Sequence, residues 1–461
     1  MNLLIRHSNL ADRRTKAGSV LIIVLWVALG LVTIALYFAN SMSFEMRAAD
    51  NGFAALQAQQ AVNGGARYVA YVLANQLTPG VLPDPLSYQS EAVPVGDARF
   101  WIIGRPTNTL VMSVDRPAYG LIDEASKLNL NTATAEMLEA LPGMTAELAG
   151  AIIDWRDSDD IPGDSGAESD TYLRRQPAYQ CKNAKFETLG ELRLLQGADW
   201  NILYGEDANL NGILDRNEND ADQSPPSDNK NGRLEPGVLE YLTVYSREGN
   251  LRSDGTAKIN VTNPTNIDQL QILIEQKLGS AKATQVVNAL RGQGVTVQTN
   301  LLEFYLQLKD AAQVTSEDFA QFESDITFSD QPIEGLVNVN TASEAVLACI
   351  PGIGTDHASA MVAYRQTSSA SAQSIAWVAE VLTEAADQRQ AAPYLTTHSY
   401  QFTADIAAVG HYGRGYQRTQ FVFDTSDGTP KIRFRRDLSQ LGWALGPYTR
   451  DWLVAQKENR L

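Results

Sequence analysis

The stretch TKAGSVLIIVLWVALGLVT, residues 15–33, carries no charge after Lys16. From Val20 to Phe38 run 19 residues, mostly Leu, Ile, Val and Ala, in which Trp26, Gly30, Thr33 and Tyr37 are the least apolar. At about 1.5 Å per residue this makes roughly 28 Å of helix, close to the ~30 Å hydrocarbon core of a bilayer. A cleavable secretory signal has an apolar region of about 7–15 residues followed by a small-x-small site. The run here is longer, although Ala39-Asn40-Ser41 has that form. Arg6, Arg13, Arg14 and Lys16 precede the span, and Glu45, Arg47 and Asp50 follow it. The positive-inside bias holds the short leader in the cytoplasm and sends everything after Phe38 across the membrane. Residues 41–75 read as continued helix: they are rich in Ala and Gln, lack Pro, and end at the linker LTPGVLPDP.

The remainder of the 461-residue chain has room for two or three domains. The net charge of the whole chain, −17, argues against a general affinity for phosphate backbones. The acid is localised. Residues 157–170 hold six carboxylates and no base, and residues 206–235 hold eight against Arg216, Lys230 and Arg233. Excess charge packed into loops suggests bound cations. Two cysteines, Cys181 and Cys349, exclude a disulfide scaffold; they could pair or stand as two buried thiols. The four histidines lie far apart, and no nucleophile elbow, phosphate loop or zinc motif appears, which disfavours an enzyme.

Two segments match at an offset of 209 residues: LNLNTATAEMLEALPGMTAELAGAIIDWR from Leu128, and VNVNTASEAVLACIPGIGTDHASAMVAYR from Val337. Thr132 and Thr341 are expected as N-caps of a first helix, Pro142-Gly143 and Pro351-Gly352 break the chain, and a second helix follows. This is a helix-hairpin-helix, or SAM-like, unit. KINVTNPTNIDQLQILI from Lys258 is a degenerate third copy, with Asn260 and Asn263 in the place of the paired asparagines. Such hairpins are known for presenting backbone N–H groups to DNA phosphates. The first copy lacks the second Gly of the turn, neither second helix carries Lys, and Glu147 and Asp154 have the wrong sign. The hairpins therefore read as structural, and no nucleic acid is expected as a partner.

DANLNGILDRNE, residues 207–218, places oxygen side chains at positions 1, 3, 5, 9 and 12 (Asp207, Asn209, Asn211, Asp215, Glu218), with Gly212 at 6 and the Ile213 carbonyl at 7. That is the twelve-residue calcium loop: six to eight hard oxygens, a Gly for the sharp turn and a closing Glu. A second loop from Ser227 repeats the core as Asn229, Asn231 and Gly232, with Glu235 at 9 and Val238 at 12, leaving Asp228 or Glu240 as substitute ligands. In residues 157–170, Asp157, Asp159, Asp160 and Glu168 make a further calcium site without recognised spacing.

A basic leader ending in Gly18, followed within two residues by the apolar run, resembles the class III signal of type IV pilins and type II secretion pseudopilins. In that family a membrane peptidase cuts after the Gly, which here makes Ser19 the new, N-methylated first residue. Most members have Glu at the fifth mature position; this chain has Ile23. A buried carboxylate is expensive without a partner, and a subunit with nothing ahead of it has no amine to meet. With LIDEASKLNLNTA, IIDWRDSDD, FETLGELRLL, EYLTVYS and LVNVNTAS in order, the chain resembles the minor pseudopilin K family, and is longer than usual members at the calcium-type loops. The resemblance implies an α+β fold: a long N-terminal transmembrane and stem helix, a pilin-like antiparallel β-sheet and a large inserted all-α domain. The expected parts are a leader (1–18), span and stem (19–75), first β part (76–125), helical insert with the first hairpin (126–335), second hairpin (336–395), and second β part with the tail (396–461). Strands are expected at ARFWII, TLVMSVD, YQFTADIAAVG and YQRTQFVFD, the last two joined by a turn at residues 411–415. The resemblance also implies calcium in the helical domain, a tip complex with minor pseudopilins I and J, processing by prepilin peptidase, and an inner-membrane, single-pass protein with a periplasmic head. The second reading is a membrane-tethered DNA receptor built on the hairpins.

Overall fold

The computed structural model describes residues 15–458 apart from 77, 106–114, 222, 293–295 and 369–373. The leader up to Arg14 and nearly all of the expected strand TLVMSVD lie outside the described residues. One helix, Thr15–Ala74, contains the apolar span and the expected stem without interruption. Sixty residues at about 1.5 Å each make a rod of roughly 90 Å. Among the described residues it is the one helix long and apolar enough to cross a membrane, and none of that window is buried. The second half is different. Ala54, Ala58, Ala61, Val62, Ala66, Val69 and Leu73 recur at the helical period and are all buried. Small side chains on this stripe bring the helix axis close to a sheet.

That sheet is antiparallel, and its strands are β1 (Val93–Val95), β2 (Ala98–Ile103), β3 (Ile122–Asp123), β4 (Gln401–Val409), β5 (Gln417–Asp424) and β6 (Lys431–Asp437). The order is β1-β2-β4-β5-β6, with β3 pairing β4 beyond the end of β2. ARFWII, YQFTADIAAVG and YQRTQFVFD are therefore strands, and the turn at residues 411–413 joins the last two. Strand β4 does not show the alternating burial of a one-sided strand: all nine residues are buried. Phe402, Ala404, Ile406 and Ala408 pack under the stem helix with Phe421 and Phe423. On the opposite face Ala407 and Val409 meet Ala444 and Leu445, with Trp452 and Leu453 of the C-terminal helix Gly446–Glu458 beside them. Burying each such large apolar side chain contributes about 1.5–3 kcal/mol.

Between β3 and β4 the chain builds a separate apolar core that runs from Leu128 to Leu395 and includes both hairpins. Its organising unit is a two-residue parallel ladder made three times. Leu128–Asn129 pairs with Leu242–Thr243, Ile259–Asn260 with Ile326–Thr327, and Val337–Asn338 with Leu395–Thr396. The hydrogen bonds repeat residue for residue. The Asn Oδ1 accepts the backbone N–H two residues on, at Asn131, Thr262 and Asn340. Its Nδ2 reaches the residue three beyond the Thr: Ser246, Asp330 and Ser399. The degenerate copy is thus a true repeat, but Thr262, not Asn263, holds the second position; Asn263 instead accepts from Thr265 N to start the turn Pro264–Asn266.

The N-caps fall two residues later than Thr132 and Thr341. Thr134 caps Ala135–Glu139 and Ser343 caps Glu344–Ala348. The Asn turn occupies residues 129–131 and 338–340, so helix geometry cannot begin at once, and the Thr341 hydroxyl is spent on Asp123. Arg156 and Arg365, which close the two hairpins, donate back to carbonyls at Leu130 and Ala133 and at Val339. Cys181 and Cys349 are both free and buried.

Two consequences are measurable. Asp123, 2 % exposed, accepts from Ser399 and Thr341 hydroxyls and the Asn338 amide. Asp123→Ala takes away the acceptor of the buried Ser399 hydroxyl and of the Thr341 hydroxyl and is expected to lower unfolding free energy by about 2 kcal/mol; an unchanged urea midpoint would contradict this. Burial pushes Glu323 up from 4.5 to about 7, against the donors from Ser374, Thr397 and Ile375 N. The folded state then keeps a proton that the unfolded chain has already released. Its contribution is full below pH 4.5 and is lost as pH rises through about 7. Glu323→Gln is expected to flatten that part of the stability–pH curve, measured by denaturation from pH 4 to 8.

Candidate metal centres in the acidic loops

The loop at residues 207–218 leaves the short helix Trp200–Tyr204 and ends in the turn Arg216–Glu218. Its geometry is fixed by carboxylates bonded to backbone. Asp207 accepts Asn211 N and Gly212 N, each at 2.9 Å. Glu218 accepts Ala208 N at 3.1 Å and Asp215 N at 2.9 Å. The Asn209 and Asn211 amides both donate to Asp215 Oδ2, at 2.7 and 3.0 Å. Gly212 sits at φ +74°, a conformation other residues adopt only with strain. Asp207, Asn211, Ile213 and Glu218 are buried, and Asn209 Oδ1 is buried without a partner. Burial raises Asp207 to about 6 and Glu218 to about 8, and their mutual charge adds to the shift of Glu218; Asp215 is also raised by burial. The six predicted donors therefore belong to one loop whose carboxylates are held in low dielectric at a cost that a dication would offset.

The loop is bolted to the main sheet. Arg418 of β5 is fully buried, binds Asp405 of β4 through Nε at 2.9 Å, and donates to the carbonyls of Asn209 and Leu210. Arg105 donates to the same Leu210 carbonyl and pairs with Glu240 at 2.7 Å.

The second loop copies the first: Asn229 and Asn231 amides donate to Glu235 at 3.0 and 2.7 Å. Neither proposed substitute closes it. Glu240 is taken by Arg105, and Asp228 accepts backbone N–H groups of Asp220, Ala221 and Lys230. Val238 is in the core. The closing carboxylate is Glu206, which accepts Asn229 N and Glu235 N at 3.3 and 3.0 Å. It lies directly before the first loop, so the two loops interlock.

The tightest convergence of carboxylates is elsewhere. Ligand oxygens of Asp154, Asp157 and Glu168 lie within 4.8 Å of one another, the one such group among the described residues. Asp154 is in the last turn of helix Ala146–Arg156, Asp157 caps its end, and Glu168 precedes helix Ser169–Tyr172. Glu168 is 3 % exposed, and neither of its oxygens, nor Asp157 Oδ1, has a hydrogen-bond partner among the described residues. Burial raises Glu168 to about 7, with Asp154, Asp157 and Asp160 adding repulsion. Two glycines accept Asp154 closely: Gly163 N bonds both its oxygens, and a Cβ at Gly166 would collide with Oδ2. Of the four residues expected here, Asp157 and Glu168 converge. Asp159 and Asp160 do not: their carboxylates accept Ile161 N and Ser169 N. Asp154 was missed, although its i,i+3 spacing to Asp157 puts both on one helix face.

The second hairpin's turn packs against a neighbouring helix at its first glycine and is open at its second, Gly354. Gly352 sits at φ +81°, and a Cβ there would lie 2.3 Å from the Asp387 carbonyl of helix Ala385–Ala391.

Calorimetry of the full chain titrated with calcium tests both centres. Asp207→Ala with Glu218→Ala is expected to remove one bound ion, and Asp154→Asn with Glu168→Gln another. Unchanged stoichiometry in either pair would refute that centre.

A family model described as type II secretion system protein K matches residues 115–203, and one for the helix-hairpin-helix motif matches residues 334–374. The type II secretion system protein K of Pseudomonas aeruginosa is 30 % identical over 171 residues, 34 % of this chain and 49 % of that protein. That of Klebsiella pneumoniae is 37 % identical over 68 residues, 15 % of this chain and 21 % of that protein. The chain thus spans about half the length of the first relative and about a fifth of the second. A chain of the crystal structure of the GspK-GspI-GspJ complex from enterotoxigenic Escherichia coli aligns with TM-score 0.41 and 11 % identity, over 85 % of this chain and 99 % of that one. Residues 115–203 thus match the type II secretion system protein K domain, and the chain is similar over part of its length to the protein K of these two organisms.

Proposed function

We propose that this chain is a minor pseudopilin placed at the tip of the type II secretion pseudopilus, where it helps initiate pseudopilus assembly and protein export across the outer membrane. The observation that carries the reading is the single helix Thr15–Ala74, apolar and exposed in its first half and packed under the sheet in its second. Ile23 in place of the usual Glu suits a subunit with no neighbour ahead of it. The large 128–395 core would clash within a closely packed fibre. Partners on this reading are the minor pseudopilins I and J. The location is the inner membrane, single-pass, with a periplasmic C-terminal head. The role is structural, not enzymatic.

Calcium is the cofactor of the reading. Asp207, Asn209, Asn211, Ile213, Asp215 and Glu218 would hold one ion, and Asp154, Asp157 and Glu168 another. The ion supplies positive charge, so that buried carboxylates stay ionised without mutual repulsion. The DNA-receptor reading is disfavoured by closing arginines that are spent on backbone carbonyls.

Prepilin peptidase would cut after Gly18 and leave Ser19 as the amino terminus. Mass spectrometry of the native protein is expected to show loss of residues 1–18. A chain that still begins at Met1 in membranes with active peptidase would refute the assignment.

A further inference from the structure

Strand β6, KIRFRRD, forms one edge of the main sheet; its recorded pairing is with β5 on its inner side. Five of its seven residues are exposed, Ile432 at 52 %. In a chain of net charge −17 it carries Lys431, Arg433, Arg435 and Arg436 against Asp437. A register shift opposite Val422 and Phe423 puts Arg433 in a bulge. Beyond it, Arg435 lies over the Phe421 ring on the stem side, while Phe434 and Arg436 turn to the other face. Lys431 pairs with half-exposed Asp427 and Arg433 with Asp424.

On that other face lies a cavity of about 220 Å³, lined by Lys127, Arg193, Tyr245, Thr403, Phe434 and Arg436 among others. Its charges are largely cationic. Lys127 pairs with Glu124 at 3.2 Å, whereas Arg193 and Arg436 both donate to a neutral acceptor, the Tyr204 hydroxyl. The Tyr245 hydroxyl is buried and has no partner among the described residues. A carboxylate entering here would meet two guanidinium groups whose hydrogen-bonding capacity is largely unspent, and an idle O–H.

We propose that β6 is a docking edge for an extended acidic polypeptide segment, which adds as a further strand and places a carboxylate in the Lys127–Arg193–Arg436 cavity. Main-chain bonds to the open edge supply affinity, and acidic side chains at alternate positions share the face of the cavity and its cations. A second copy of this strand is the wrong occupant. Its own cations would face like charge, and bulges and cations on edges are the usual defence against self-pairing. The inference does not depend on the assembly role proposed above.

The test uses the full chain in neutral detergent and a fluorescein-labelled peptide of about seven residues alternating glutamate and valine, read by anisotropy. Saturable binding is expected, weakened about tenfold or more by Arg435→Glu with Arg436→Glu, by glutamine in place of the glutamates, and by N-methylation of alternate peptide nitrogens. Arg193→Gln, away from the strand, is expected to weaken it several-fold and serves where the double variant changes the thermal melt. No binding, or equal binding by the glutamine peptide, overturns the proposal. So does equal binding by the N-methylated peptide, which would leave an anion cavity without strand addition.

Discussion

The carboxylate of Asp123 lies at the point where the chain leaves the sheet to build the insert. The donors that satisfy it, Asn338, Thr341 and Ser399, come from the third ladder, where the insert returns to the sheet. Its neighbour Glu124 accepts Thr243 of the first ladder and Thr403 of β4. Two adjacent acids therefore tie the exit, the return and the sheet together. Burial raises Asp123 to about 6, and its hydroxyl donors pull the other way. Such a group is costly to desolvate and costlier still to leave unmet, so it specifies one arrangement of the ends of a long insertion.

The three ladders explain why the insert forms one core. Each two-residue pairing is too short to stand alone. Each fixes the start of a helical segment by an Asn turn, and buried apolar residues beside it, such as Leu128, Ile259 and Val337, point into the shared interior. The closing arginines, which in a nucleic-acid reader would face a phosphate, here satisfy carbonyls that the short strands leave open.

Much of this was legible in the sequence because its signals are local. Nineteen apolar residues, a Pro-free Ala-rich stem, a Pro-Gly hairpin and a twelve-residue oxygen pattern are each read within one window. What escaped depends on convergence. Asp154 looked like a wrong-signed residue on a DNA-type helix until Glu168 folded back against it. Glu206 lies outside the loop it closes, so no count along residues 227–238 could find it. The third repeat was visible only as a pair of asparagines. Its confirming residue is Asp330, 70 positions from Asn260 and chemically unlike the serines of the other copies. The N-caps slipped by two because a side-chain turn competes with helix initiation for the same backbone N–H groups.

The stem packs on β2, β4 and β5, and the central one, β4, also reaches the first acidic loop. Even-numbered residues of β4 lie under the helix, while on its other face Asp405 holds Arg418, and Arg418 holds the carbonyls of the first acidic loop. Asn209 in turn donates to the Trp443 carbonyl ahead of the C-terminal helix. The Arg418 guanidinium divides its donors between the Asp405 carboxylate and two carbonyls of the loop. The first acidic loop is thus joined through Arg418 to the strand that packs beneath the stem, a second tie between insert and sheet beside that of Asp123 and Glu124.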